Sequence, residues 1–455
     1  MYSRDTIAAI STGSGAAAVA IVRVSGADAL AVAARVFRGL TPERWIPHRL
    51  YPGRFVDADE RVLDHGLGVV MRTPRSYTGE DVVELHGHGG VLLSRRLLAS
   101  VIAAGARPAA PGEFTLRAFL NGKLDLAQAE SVADLIAART DAALRVAVDH
   151  LGGALSQAVE ELRERVVGIA ARLEVAIDFS EEDVGDLDRA KLADDASGAT
   201  TALRELAGTY RCGRILREGL RVVIVGKPNV GKSSLLNRLL QSDRAIVTPI
   251  PGTTRDLVEE ALDIGGLAVV LTDTAGIRET GEEIERIGIE RTREAIDAAD
   301  VAIIVLDNSR AWEDEDAQAI AAVRQKPSIL LINKADLESY LRVPETVRNA
   351  EHVVCGSALT GAGIDSLRSE LIGVADVSGR DAAPRITITR ERHRLALEAA
   401  AHCIERAGIA LRSGDPPEVV AVDIMSGLDH LGEIVGRTSP EAVLDRIFGE
   451  FCIGK

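Results

Sequence analysis

The 455-residue sequence is short of cysteine, of long hydrophobic runs and of positive charge. Its four cysteines, Cys212, Cys355, Cys403 and Cys452, have neither the paired spacing of a zinc site nor the density of a disulfide scaffold. A reducing cytoplasm is the expected setting. The apolar run Ala16 to Val22 is brief and ends at Arg23, so no secretory signal is expected, and no segment is long enough to span a bilayer. A formal charge of −15 argues against nonspecific coating of nucleic acid by the whole surface, although it leaves room for a local basic patch or a recruiting partner. His86 and His88 flank a single glycine without a third metal ligand, so a turn is expected there. Cys452 stands fourth from Lys455 as a prenylated cysteine would, but lysine is the wrong last residue and no polybasic segment precedes it.

Against these absences stands one strong presence. Gly226-Lys-Pro-Asn-Val-Gly-Lys-Ser233 follows the apolar run Val222 to Val225 and leads into Ser234-Leu-Leu-Asn-Arg-Leu-Leu240. A strand, a glycine-rich loop and a helix in that order aim main-chain N–H groups and the helix's positive end at a phosphate chain. Gly226 and Gly231 permit the wrap, Val230 and Ser234 lie within it, Lys232 reaches the β- and γ-phosphates, and Ser233 offers a hydroxyl to magnesium.

Four further segments follow in order. Asp273-Thr-Ala-Gly276 ends the run Leu267 to Leu271, placing a carboxylate in the outer shell of magnesium and, with Thr274 and Ala275, bringing the Gly276 N–H to the γ-phosphate. Asn333-Lys-Ala-Asp336 closes the strand Ser328 to Ile332; with Asn333 and Lys334 beside it, Asp336 accepts the N1–H and the exocyclic amino group of guanine, a donor pair that adenine lacks. Ser357-Ala358, after Val353-Val-Cys355, stand where a main-chain N–H backs up the base. Gly252-Thr-Thr-Arg-Asp256 supplies Thr254 as a second magnesium hydroxyl. Together they specify GTP.

The glutamine that orients water in small signalling GTPases is missing, since Ile277 follows Gly276. Catalysis has two candidate sources. Asn229 could hold a monovalent cation against the phosphates, or could be only a tolerated exposed residue. The run Glu282-Glu-Ile-Glu285 could orient water, or could be a solvated helix start.

At this length about three domains are expected. Short β-rich runs, Ala18 to Val24 and Val82 to Leu85 among them, read as a small α/β domain over 1–121. Leu155, Val159, Leu162, Val166, Ile169, Leu173 and Ile177 form the stripe of an amphipathic helix, which Gly152-Gly153 separates from an earlier one. Residues 122–217 and 380–455 are expected to build one discontinuous helical domain, with helices through Arg390 to Arg412 and Val419 to Phe451. Residues 218–379 form an inserted Ras-like P-loop domain with a doubly wound, mainly parallel sheet. The expected fold class is multidomain α/β.

Further residues carry a resemblance. They are Arg23-Val-Ser-Gly26, Thr78-Gly-Glu-Asp-Val-Val-Glu-Leu-His-Gly-His-Gly-Gly90, Pro111-Gly-Glu-Phe114, Arg117-Ala-Phe-Leu-Asn121, Lys123-Leu-Asp-Leu-Ala-Gln-Ala-Glu130, Ile287-Gly-Ile-Glu-Arg291 and Phe451-Cys-Ile-Gly-Lys455. With the nucleotide motifs, the sequence resembles the MnmE (TrmE) family of tRNA modification GTPases along nearly its whole length. The resemblance implies a folate-binding N-terminal domain that makes a homodimer, a helical domain, and a potassium-activated GTPase domain that dimerises during turnover. It implies that Asn229 and main-chain oxygens of Thr248, Ile250 and Thr253 bind potassium, and that Glu285 is the catalytic glutamate. For 5-formyl-tetrahydrofolate or a related tetrahydrofolate the matching positions are Arg23, Glu84, Lys123 and Lys455. Cys452 falls near the folate, either as a nucleophile or as a small buried core residue. The implied partners are tRNA and the FAD protein MnmG (GidA), in a heterotetramer that modifies the wobble uridine. A regulatory switch that binds RNA or a ribosomal partner is the alternative.

Overall fold

The computed structural model describes residues 5–13, 15–178, 188–242, 244–245, 259–273, 293–348, 351–375, 386–438 and 440–455. They fall into two compact units, Met1–Ala133 with His150–Arg163 and Met425–Lys455, and Asp134–Asp149 with Glu164–Ile424.

The first unit is built on β1 (Ile7–Ile10), β2 (Ala17–Ser25), β3 (Phe37–Gly39), β4 (Tyr51–Val56), β5 (Val62–Met71), β6 (Val82–Gly89) and β7 (Arg107–Pro108), ordered β3-β4-β5-β6-β2-β1-β7. The period of two along a strand sends Val22 and Val24 of β2, with Val83 and Leu85 of β6, into a core with Leu30, Val36, Leu97 and Val101 from the helices Ala29–Val36 and Val91–Ala103. Arg23 therefore belongs to the other face, where β2 and β6 pair it with Glu84. His86 and His88 lie within β6 and not in the turn expected from sequence, because the β pattern of Val82 to Leu85 runs on to Gly89.

On that second face the fully buried Arg117 guanidinium donates to Glu80, Glu113 and both a carboxylate and the carbonyl oxygen of Asp5. A buried cation is tolerable only with such partners. Here they tie the Tyr77–Glu80 turn to the helix Glu113–Leu120. A further core joins Leu126, Ala129 and Val132 to Ile447, Phe448 and Phe451. The helical pattern expected from Val419 to Phe451 is two helices, Pro417–Val435 and Glu441–Gly449, broken at Gly436, whose φ is +83°.

The second unit holds β8 (Leu220–Val225), β9 (Arg244–Ala245), β10 (Glu259–Ile264), β11 (Leu267–Asp273), β12 (Val301–Asp307), β13 (Ser328–Asn333) and β14 (Val353–Cys355). Their order is β14-β13-β12-β8-β11-β10-β9; β14 through β11 pair in parallel, and β10 pairs antiparallel with both neighbours. Apolar runs such as Val301 to Leu306 of β12, which is buried throughout, suit strands covered on both faces. The chain leaves β8 toward β11 on one side and β12 on the other, and such a switch point opens a crevice at the strand ends. The helices Arg189–Gly208 and Glu391–Ser413 pack together through small buried residues, with Ala193, Ala196 and Ala199 against Ala400, Ala407 and Gly408. Asp188 caps the first of them by accepting from the Lys191 N–H. The amphipathic stripe lies on the helix Ala154–Asp178, with Leu155, Val159, Val166, Ile169 and Leu173 at most 1% exposed.

Candidate functional site

The loop after β8 is shaped by close contacts that only glycine tolerates. Gly226 has φ +148°, and a Cβ there would meet the Val305 carbonyl of β12 at 2.5 Å; Gly231 has φ +103°, and a Cβ would meet Asn333 Nδ2 at 2.3 Å. Between them Pro228 and Asn229 are exposed while Val230 is buried. Asn229 adopts φ +64°, a left-handed conformation that asparagine tolerates better than most residues. The helix Lys232–Ser242 starts at once, with Ser233 and Ser234 exposed on its first turn. Lys232 Nζ donates to the carbonyls of Gly226 at 2.7 Å and Lys227 at 2.9 Å, so its ammonium is held across the loop mouth.

The base segment is locked to this loop. Asn333, 2% exposed, donates from Nδ2 to Val230 O at 2.8 Å, and its Oδ1 accepts the Ala358 N–H at 2.9 Å. Lys334 donates to the Asn229 carbonyl at 3.0 Å and to the buried Asp307 carboxylate at 2.6 Å. Burial raises the Asp307 pKa, and the Lys334 ammonium and Ser309 donors outweigh it to hold the group below its ordinary value. Asp336 is exposed at the loop that follows β13. Asp273 ends β11 in register with Ile224 of β8, one strand from the phosphate loop. Gly226, Asn229, Val230, Gly231, Lys232, Ser233, Ser234, Asn333, Lys334, Asp336, Ser357 and Ala358 thus come together around the switch point. Thr248, Ile250, Thr253, Thr254, Thr274, Ala275, Gly276 and Glu285 lie outside the described residues.

One relation was not visible in the sequence. Lys227, inside the loop, reaches away from the phosphates to Glu313 at 2.8 Å and to the buried Asp316 at 2.9 Å, where those two residues cap the helix Asp314–Ala322 reciprocally. Nothing in the spacing of Lys227 and Asp316 signals this ion pair, which depends on β12 and β8 being neighbours.

A separate cluster occupies the second face of the first sheet. Arg23 Nε donates to Glu84 Oε1 at 2.9 Å, and its guanidinium lies over the rings of Tyr77 and Phe114, 5.5 and 5.6 Å from their centroids. Glu84 also meets His86 Nε2 at 3.2 Å; burial pushes its carboxyl up, and His86 and Arg23 together hold it below its ordinary value. His88 turns to Asp64, so the two histidines share no ligand, and no group able to hold a metal occurs among the described residues. Lys455 is joined through its carbonyl, which accepts the Phe114 N–H at 3.2 Å, and Ile453 bridges to Pro111. Gly454 at φ +98° makes this possible, since a Cβ would meet the Ile10 carbonyl at 2.3 Å. Lys123 donates to Pro74 O at 3.1 Å at the rim of the Tyr77 turn. Cys452 is exposed, which removes the buried-core alternative. Sequence reading gave Tyr77 no part in this cluster.

The parallel sheet, its phosphate loop at the switch point and the asparagine that joins that loop to the base segment define a P-loop GTPase. Two family descriptions match the chain, the GTP-binding protein TrmE N-terminus over residues 6–123 and the MnmE helical domain over residues 126–452. A tRNA modification GTPase MnmE of Moorella thermoacetica is 46% identical over 469 residues, covering 99% of each chain. That of Geobacter metallireducens is 44% identical over 459 residues, covering 100% of each. Among solved structures, Aquifex aeolicus Era bound to GDP and AlF4− shares 29% identity over 41% of this chain and 65% of its own, at a TM-score of 0.27, a likeness too partial to add to the reading. The chain belongs to the MnmE family of tRNA modification GTPases. No described helix is long and apolar enough to cross a membrane.

Proposed function

We propose that the protein is a potassium-activated GTP hydrolase that works with the FAD protein MnmG (GidA) to form 5-carboxymethylaminomethyl or aminomethyl uridine at the tRNA wobble position. The one-carbon unit comes from a tetrahydrofolate. The observation that carries the GTP-driven part is the Asn333 side chain, which fastens the phosphate loop to the base loop in one buried unit. Lys232 and the loop's N–H groups bind the phosphates. Ser233 and Thr254 would hold magnesium, and the exposed Ser233 hydroxyl at the helix start suits that cation. Asn229 would hold potassium with Thr248, Ile250 and Thr253; among the described residues its side-chain amide has no partner, while its own carbonyl is taken by Lys334. Bound there, these cations would compensate charge that develops on the phosphates, and Glu285 would orient the attacking water.

The folate reading draws support from the Arg23 and Glu84 pair on an aromatic floor. A planar ring with amino groups can donate to the Glu84 carboxylate beside the half-buried Tyr77, while Arg23, Lys123 and Lys455 attract the acidic tail. The exposed Cys452 is a candidate for the one-carbon chemistry that the folate supplies. We place folate binding and homodimerisation in 1–121, the helical domain in 122–217 with 380–455, and the GTPase domain, which dimerises on GTP, in 218–379. The protein acts in the cytoplasm.

GTP turnover in matched potassium and sodium buffers, with Asn229→Ala alongside, tests the mechanism. Activation by potassium that the variant lacks is expected, and equal rates in the two salts would reject it. Loss of wobble modification in an Arg23→Ala, Lys455→Ala variant with intact GTP turnover is expected for the folate site. Undiminished modification would favour a regulatory switch.

A further inference from the structure

The helix that starts at the phosphate loop also grips the loop that meets the base. Arg238, on the helix Lys232–Ser242, donates from Nε to the Ala358 carbonyl at 2.9 Å and from Nη2 to the Leu359 carbonyl. The loop is otherwise braced from within: Ser357 N–H donates to Ala362 O, Gly361 N–H to Ser357 O and Thr360 N–H to Ser357 Oγ. Sequence reading assigned the base contact to a main-chain N–H at Ser357-Ala358. Both of those donors are spent, on Ala362 O and on Asn333 Oδ1. Among the described residues no acceptor meets the N–H of Leu359, whose side chain is 75% exposed.

That N–H belongs to the same planar peptide unit as the Ala358 carbonyl held by Arg238. Fixing the carbonyl fixes the direction of the N–H, and a charged donor on the oxygen strengthens the amide as a donor in turn. We propose that Arg238 is a positioning residue for guanine: it sets the Ala358–Leu359 peptide so that the Leu359 N–H reads the carbonyl at purine position 6. This rests on the GTPase reading and adds a second discriminator to Asp336. Guanine presents an acceptor at that position, whereas adenine presents an amino donor that would face another donor. The guanidinium fork reaches two successive carbonyls, which an ammonium cannot do with the same geometry.

The test uses the full chain as wild type, Arg238→Ala and Arg238→Lys, titrated with GDP and with 2-aminopurine riboside diphosphate, which lacks the carbonyl at position 6. Arg238→Ala should weaken GDP roughly tenfold, the scale of one recognition bond, and leave the analogue within about twofold. For GTP hydrolysis KM should rise by a similar factor with kcat nearly unchanged. Arg238→Lys should recover only part of the GDP affinity. Equal weakening of both ligands would mean that Arg238 merely props the loop, and unchanged GDP affinity would remove it from recognition; either overturns the proposal. A wild type that binds GDP no better than ADP would overturn the guanine reading as well, whatever the variants do.

Discussion

Asn333 lies in the space that a side chain on Gly231 would need, with its Nδ2 only 2.3 Å from the position of a Cβ there. The same amide holds Val230, so the glycine and the asparagine form one fitted contact between the phosphate loop and the end of β13.

Gly231→Ala should therefore fail on two counts. Alanine is strained at φ +103°, at a cost above about 1 kcal/mol, and its methyl group displaces the Asn333 amide from both of its bonds. A lowered melting temperature and at least roughly tenfold weaker GTP binding are expected from thermal unfolding and nucleotide titration. Wild-type affinity in a folded variant would show that the two loops bind independently.

The Lys227 ion pair gives a separate prediction. Its side chain and that of Asp316 are 4% and 1% exposed, so Lys227→Met leaves a buried carboxylate with its ammonium partner gone. The single variant should lose about 3–5 kcal/mol, whereas Lys227→Met with Asp316→Leu should recover most of it because no charge is left stranded. Denaturant unfolding of the three proteins decides this, and a double variant no better than the single would mean that the pair adds more than charge balance.

These two contacts mark the limit of what the sequence discloses. Gly226, Gly231, Lys232 and Asp336 are legible because each answers a local requirement, a positive φ or a phosphate or base contact, within a few residues of a recognisable strand. The stripe on Ala154–Asp178 is legible because burial repeats at the helical period. Lys227 and Arg238 are not legible, since a lysine in a loop and an arginine on an amphipathic helix read as solvated charges until β12 and the Ser357 turn are brought beside them. Tyr77 joins Arg23 once its turn is folded inward by the Arg117 network and by the bond between its own hydroxyl and Thr115 Oγ1. His86 and His88 read as a turn because Gly87 and Gly89 resemble a break, whereas the pairing of β6 with β2 carries the strand through them.

The Arg23 and Glu84 pair makes stability depend on acid. Glu84 is held below its ordinary value of 4.5 by His86 and Arg23 against the opposing effect of burial. The stabilisation is thus fully present above the unfolded value and is lost as pH falls through the lower folded value. Wild type should lose its advantage over Glu84→Gln on acidification below about pH 4.5, as read by unfolding curves across that range. A constant difference between the two proteins down to pH 3 would remove the ionised pair from the account.

Asp336 offers the sharpest test of the base site. The exposed carboxylate follows the buried Asn333 by three residues, so its replacement leaves the clasp on Val230 and Ala358 in place. A carboxylate accepts two hydrogen bonds from guanine, from N1–H and from the amino group of position 2, whereas xanthine carries a carbonyl at position 2 and needs a donor. Asp336→Asn supplies an amide N–H there and forfeits one acceptor. The variant should weaken GTP by roughly a hundredfold or more and gain hydrolysis of xanthosine triphosphate, with kcat for the preferred nucleotide close to wild type. Competition between the two nucleotides in a single turnover assay measures the change directly. Retained preference for GTP would place the base elsewhere and would remove Asp336 from recognition, while leaving the phosphate loop untouched.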